Sequence, residues 1–259
     1  MAKDYALAPA IKQPSIIPYL IRGENAPEFL KDFNQLVKAE YNDNSHLKVL
    51  GLNDVEGVPT IVGSNTLVLP VVQRLVSGKR IGRPEDLQRT LNDGDTLSIR
   101  GNHYIDLGAV LDFTGRNHEI ALDFWEQLQG RAPEGFGFVA HRSVTNLDML
   151  PALIVGYGLA NFDKGKYNLR LVNNSNTQVR PAKILAGRNG NFDDSVVSLE
   201  TGLPSKLGNG NRTLYTASQK AQSLDNLGLS RLCLYRYLYS DSYNVYLSYS
   251  YDYGRVVLF

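Results

Sequence analysis

The chain has 259 residues, 43% hydrophobic and 20% charged, enough for one large domain or two modest ones around a sizeable core. A net charge of +1 argues against nucleic acid or an acidic membrane as partner, and a single cysteine excludes an internal disulfide and a CxxC metal or redox site. No segment reaches the ~20 apolar residues of a membrane span. The opening MAKDYALAPAIKQPSIIPYLIRG carries no signal-peptide pattern, so a soluble chain without signal peptide or membrane insertion is expected.

Pro9, Pro14 and Pro18 predict an extended start. APEFLKDFNQLVKAEY (26–41) reads as a helix, with Pro27 in its first turn and Phe29, Leu30, Phe33, Leu36 and Val37 at helical spacing. LKVLGL (47–52), VPTIVG (58–63) and TLVLPVVQRLV (66–76) read as short strands. RPEDLQRTL predicts a short helix from Pro84, and NDGD (92–95) a turn. HYIDLGAVLDF (103–113) reads as a buried strand. NHEIALDFWEQLQ (117–129) reads as an amphipathic helix through Ile120, Ala121, Phe124, Trp125 and Leu128. GFGFVAH, VGYGLANFD, NNSN, GRNGN and GNGN then give loop signals around strands such as YNLRLVN (167–173). No internal repeat or flexible linker is present. The NDGD turn and the change of texture place a boundary near residue 95.

Known catalytic and metal signatures are missing. His46, His103, His118 and His141 are scattered, without metal-ligand spacing. No GxSxG elbow, Walker loop, HExxH helix or EF-hand loop occurs. Gly208–Asn211 is Gly-rich, but no hydrophobic strand leads into it. Cys233 sits in the apolar run RLCL and reads as a small core residue. The expectation is a protein that is not an enzyme and needs no cofactor or metal.

The unusual stretch is YRYLYSDSYNVYLSYSYDYGRVVLF (235–259), with eight of the fifteen tyrosines. Tyr235, Tyr237 and Tyr239 alternate, as do Tyr249, Tyr251 and Tyr253, and period two places each trio on one face of a strand. SDSYN (240–244) between them reads as a polar turn. Leu234, Leu238, Val245 and Leu247 supply an apolar frame, and Val256–Phe259 a central strand buried on both faces. The filler is Tyr, Ser, Asp and Asn, the composition of an antibody paratope: large amphipathic contacts with few torsions to freeze, plus adaptable hydrogen bonds. High strand propensity of tyrosine, low-complexity disorder and an outer-membrane barrel strand are the plain alternatives. Each accounts less well for eight tyrosines framed by RLCL and RVVLF.

GLSRLCLYRYLYSDSYNVYLSYSYDYGRVVLF resembles the variable region of a diversity-generating retroelement variable protein, most closely the archaeal and archaeal-virus branch, which ends in a similar GRVV run. In that family, an error-prone copy of a template repeat replaces the end of the gene, with substitutions at adenines. Mutated Asn codons give Tyr, Ser, Asp, Asn, His, Leu, Val and Arg among others, but not Lys, Glu, Gln, Met or Trp. None of those five occurs from Tyr235 to Tyr253. The resemblance covers about the last thirty residues. It implies an α+β chain with a C-type lectin fold: two helices and a twisted antiparallel sheet over residues 96–259, with a variable region at about 235–253. Residues 1–95 are then an elaboration of that fold or a separate attachment module.

The implied ligand-binding residues are Tyr235, Tyr237, Tyr239, Ser240, Asp241, Ser242, Tyr243, Asn244, Tyr246, Ser248, Tyr249, Ser250, Tyr251, Asp252 and Tyr253. The implied partner is a macromolecule, in the first place a protein, on a host or target cell, with the chain on a virion surface if the gene is viral. The same superfamily contains formylglycine-generating enzymes, whose chemistry needs two cysteines where this chain has one. The EPN and WND motifs of Ca²⁺-dependent sugar-binding lectins are absent, so the lectin name implies a fold and not sugar recognition. The alternatives are a virion structural protein with a permanent tyrosine interface and, disfavoured by the single cysteine, an enzyme of the formylglycine-generating superfamily fold.

Overall fold

A computed structural model of the protein describes residues 18–92, 103–113, 116–128, 151–186, 190–192, 197–198, 201–204, 206, 208–209, 212–215, 224–235, 240–241 and 246–259. The chain runs through β1 (Tyr19–Leu20), α1 (Ala26–Glu40), β2 (Gly51–Val55), β3 (Val58–Val62), α2 (Val68–Leu75) and α3 (Pro84–Asn92). The main strand β4 (Tyr104–Asp112) and helix α4 (His118–Leu128) follow, then β5 (Ala152–Val155), β6 (Gly158–Asn161), β7 (Leu169–Val172) and β8 (Gln178–Pro181). The last strands are β9 (Gly190–Phe192), β10 (Arg212–Tyr215), β11 (Gly228–Tyr235), β12 (Ser240–Asp241), β13 (Gly254–Arg255) and β14 (Val257–Leu258). Helices and a largely antiparallel sheet make this a mixed α+β chain.

The central sheet has the order β8-β5-β4-β11-β12-β10-β9, with β13 beside β4. Its pairs are antiparallel except β10–β12 and β13–β4. Every residue of β4 is buried, as its near-continuous apolar run requires. One face of the sheet, with Ala109, Leu111, Ile154 and Leu229, packs on α1, α2 and α4 through Phe33, Val37, Val72 and Phe124. The other face, with Ile105, Leu107, Val110, Leu153 and Leu232, packs on Leu87, Leu185 and Val257.

A bulge shifts the phase of β4 against the two cores. Leu232 pairs with Gly108 and Cys233 with Asp106, so Leu107 is the extra residue. Ile105 and Leu107 face the second core, and after the bulge Ala109 faces the first. Gly108 has φ +138°, and a Cβ there would lie 2.6 Å from the Ile154 carbonyl oxygen. Only glycine fits that approach.

Residues on both sides of position 95 share the first core, from Ile21, Phe33 and Val72 to Leu229 and Leu258. The C-terminal run closes the structure. β14 pairs antiparallel with β1, Tyr19 opposite Leu258. On its other side Arg80 and Phe259 exchange two main-chain hydrogen bonds, both 2.8 Å. Val256 and Leu258 enter the first core and Val257 the second. The expected burial on both faces is therefore seen, with β14 central to a small sheet of its own and not to the large one.

Four readings need correction. TLVLPVVQRLV is not a strand: residues 68–75 form α2, whose Val68–Val72 are all buried. Five consecutive buried apolar residues read as a strand core, and the polar Gln73 and Arg74 come only in the last turn; the Asn65 side chain starts the helix by accepting from the Leu67 and Val68 N–H groups. In LKVLGL, residues 47–50 turn and the strand begins at Gly51. VGYGLANFD and GRNGN, read as loops, contain β6 and the start of β9. Of the turn expected over 240–244, Ser240 and Asp241 are strand β12, wedged between β10 and β11, and the rest lies outside the described residues. The predicted helices 26–41, 83–91 and 117–129 and the strand 103–113 are present as α1, α3, α4 and β4.

Candidate functional site

The stretch from Tyr246 to Arg255 is held by residues far away in the chain. GSNT (63–66) forms its rail. Thr66 N–H donates to the Leu247 carbonyl at 3.1 Å, Asn65 Nδ2 to the Ser248 carbonyl at 3.1 Å, and Ser64 N–H to Ser250 Oγ at 3.2 Å. Asn65 is fully buried and also donates to the His46 carbonyl at 2.9 Å. Leu247 is fully buried and pins the segment to the first core.

Beneath this rail stands Tyr104, fully buried at the start of β4. Its hydroxyl donates to the Ser64 carbonyl at 2.7 Å and accepts the Tyr251 N–H at 3.0 Å. Arg231 of β11 lies with its guanidinium carbon 4.5 Å from the Tyr104 ring centroid and donates through Nη1 to the Tyr249 carbonyl. The charge of Arg231 is answered by Asp106, Nε to Oδ1 3.1 Å, both side chains fully buried; the two groups face each other as ions without the alignment of a hydrogen bond. Burial pushes the Asp106 carboxyl above its ordinary range, while Arg231 and then Ser64 pull it back. Burial, and then Asp106, raise the Tyr104 phenol. A Cβ on Gly254 would lie 2.5 Å from the Tyr104 hydroxyl, so position 254 admits only glycine against this pillar. Arg255 braces the turn from inside, donating to the Gly254 carbonyl at 2.7 Å.

On this frame the tyrosines face outward. Tyr246, Tyr249, Tyr251 and Tyr253 are 37%, 42%, 39% and 38% exposed, and among the described residues only Tyr19 and Leu52 are other large apolar side chains as open. Single exposed aromatics need no explanation, but Tyr249, Tyr251 and Tyr253 form a contiguous group. The Tyr249 and Tyr251 rings meet edge-to-face at 4.7 Å, and Tyr251 stacks on Tyr253 at 4.9 Å. The Tyr249 and Tyr251 hydroxyls are hydrogen-bonded, which raises the Tyr249 phenol. Tyr253 sits edge-on to Tyr104 at 5.4 Å, which couples the surface to the pillar. Tyr246 forms a separate contact: Arg116 Nη1 donates to its hydroxyl at 2.7 Å and Lys166 Nζ lies 4.0 Å over its ring. Beside it a cavity of about 290 Å³ is lined by Asn117, His118, Glu119, Lys166 and Tyr167.

Tyr249, Tyr251 and Tyr253 do not lie on a strand as expected. The backbone there is irregular, with turns closed by Tyr249 N–H to the Tyr246 carbonyl and Gly254 N–H to the Tyr251 carbonyl. Side chains of Asn65, Tyr104 and Arg231 take main-chain groups that a neighbouring strand would take, and the three tyrosines stay exposed without a ladder. Ser248 and Ser250 turn half inward, and the Ser250 hydroxyl is engaged by the frame. Asp252 is exposed, and Tyr235 is half-buried with its ring 5.6 Å from Tyr104. Ser240 and Asp241 form strand β12, paired with Leu234 and Cys233 of β11. Tyr237, Tyr239, Ser242, Tyr243 and Asn244 lie outside the described residues.

The sequence reading missed the frame: Ser64, Asn65, Tyr104, Asp106 and Arg231. Two signals were present. Asp106 and Arg231 are opposite charges inside otherwise apolar strands, and a charge in such a run needs a partner. Cys233 is buried. Among the described residues no group of three His, Cys, Asp or Glu could hold a metal, and no helix is long and apolar enough to cross a membrane. His118 donates from Nδ1 to the Leu227 carbonyl at 2.7 Å.

His46 gives a pH test of the rail. Burial, and then Lys166, hold its imidazole below the ordinary 6.5. Its folded form binds a proton less readily than the unfolded chain, so stability is full above pH 6.5 and is lost as pH falls through the depressed value. Thermal melts between about pH 7.5 and 5.5 are expected to show this decline, and His46→Gln to flatten it. An equal decline in both proteins would remove His46 as its cause.

Comparison of the chain with protein-family models, with curated proteins and with solved structures gives no match.

Proposed function

We propose that this chain is a binding protein whose C-terminal tyrosine segment is a diversified contact surface, written by adenine-directed copying of a template repeat and presented on a C-type lectin fold. Residues 18–92 are an elaboration of that fold, and the ligand is a macromolecule, in the first place a protein, on a host or target cell. On a virus particle such a surface would set host range, many copies adding avidity to modest single contacts. The observation that carries the reading is the division of labour in one short segment. Leu247, Gly254, Arg255 and Val256 are buried, while Tyr246, Tyr249, Tyr251, Asp252 and Tyr253 are exposed. The frame grips the segment largely through its main chain, at the Leu247, Ser248 and Tyr249 carbonyls and the Tyr251 N–H. Main-chain anchoring leaves side chains free to vary, which a diversified surface requires.

Replacing Tyr246, Tyr249, Tyr251 and Tyr253 together by Ser is expected to leave a cooperatively folded protein, at about 1 kcal/mol or less per tyrosine. Methyl NMR dispersion and a thermal melt check this, and an unfolded product would contradict it. Light scattering separates the reading from a permanent interface: the assembly state is expected to be unchanged by the four substitutions, whereas an interface would dissociate.

A further inference from the structure

We propose that the cleft between α2, residues 80–83 and strands β4 to β6 is a second binding site, for a small apolar molecule carrying one carboxylate that Arg83 holds. The cleft encloses about 440 Å³, within the size range of small-molecule sites, and shares no lining residue with the tyrosine surface. Leu69, Pro70, Ile81, Leu107, Val155 and Leu159 form its apolar wall, at a seam where the two cores meet.

Three guanidinium groups line it, and two are already matched. Arg74 is held by Glu40 through two hydrogen bonds, 2.5 and 2.8 Å. Arg80 is held by Asp86, Nη2 to Oδ1 2.6 Å. Arg83 has no carboxylate partner among the described residues; its Nη1 donates to the neutral Gln178 Oε1 at 3.1 Å. The acids next to it in sequence are taken, Asp86 by Arg80 and Glu85 by Arg180 at 2.8 Å. Among the described residues, Arg80 and Arg180 thus hold the two acids that follow Arg83 in sequence. Arg83 Nη2 lies 3.6 Å from where a Cβ on Gly156 would sit, so this end of the guanidinium faces bare backbone. A guanidinium without a carboxylate partner among the described residues, beside an apolar wall, matches a carboxylate on a hydrocarbon or aryl body. Burial, and then Arg80, lower the Arg83 guanidinium, in keeping with a charge short of a counter-ion.

The test titrates octanoate and 4-phenylbutyrate, and their uncharged amides, into the full chain, with amide NMR shifts to locate binding. The acids are expected to bind with shifts at the cleft residues, and the amides about tenfold more weakly or worse. Arg83→Gln is expected to bring the acids down to the level of the amides, and Arg83→Lys to restore part of the difference. The four-tyrosine variant is expected to bind the acids unchanged, which keeps this site separate from the tyrosine surface. No acid binding up to millimolar concentration, equal binding of acid and amide, or shifts confined elsewhere would each overturn the proposal. The acid–amide comparison on the unaltered chain decides the matter even if an Arg83 variant fails to fold.

Discussion

Deleting Val256–Phe259 is expected to unfold the protein. Val256, Val257 and Leu258 are buried in two different cores, and each aliphatic side chain contributes about 1.5–3 kcal/mol by burial. Their loss alone approaches the roughly 5–15 kcal/mol by which a domain is stable. The deletion also strips β1 of its partner and leaves Arg80 and Gly82 without their main-chain bonds. Far-UV circular dichroism and a denaturant titration check this. A soluble truncated chain with a native cooperative transition would show that Val256–Phe259 is dispensable to the fold.

Asp106→Ala is the second large effect. It leaves the Arg231 guanidinium fully buried without its counter-ion, at a cost of about 3–5 kcal/mol. The paired change Asp106→Leu with Arg231→Met is expected to cost less than Asp106→Ala, because no buried charge remains. The paired variant still loses the Arg231 bond to the Tyr249 carbonyl. It is therefore expected to fold while the Tyr249–Tyr253 segment loosens, which amide exchange would register. Single and paired variants of equal stability would mean that the ion pair is not the support described here.

The elements read correctly from sequence carry local signals. α1 and α4 have an apolar stripe at helical spacing and α3 a proline at its first position; β4 is a long apolar run. α2 is short and opens on five consecutive buried apolar residues, the pattern of a buried strand; its polar Gln73 and Arg74 come only in the last turn. The buried positions of the C-terminal segment, Leu247 and Val256–Leu258, were legible as the apolar residues among Tyr, Ser and Asp. Its supports were not, since Ser64 and Asn65 lie more than 180 residues from Ser250 and Ser248. No local pattern marks such a pairing. The alternation of Tyr249, Tyr251 and Tyr253 was read as a strand because period two is normally made by a ladder. Here side chains supply the hydrogen bonds instead. Asp106 and Arg231 were visible as misplaced charges, but only the β4–β11 register shows that they meet.

On a diversified surface the exposed positions of the segment vary while its anchors stay fixed. Sequencing the DNA next to the gene, and deep-sequencing the gene's last hundred or so bases across a population, tests it most directly. The account predicts a near-copy of the 3′ end beside a reverse-transcriptase gene, with substitutions at template adenines falling on codons such as those of Tyr246, Tyr249, Tyr251, Asp252 and Tyr253. Leu247 and Gly254–Phe259 are predicted to remain unchanged. A single invariant 3′ end with no such copy would contradict diversification and return the tyrosines to a fixed interface.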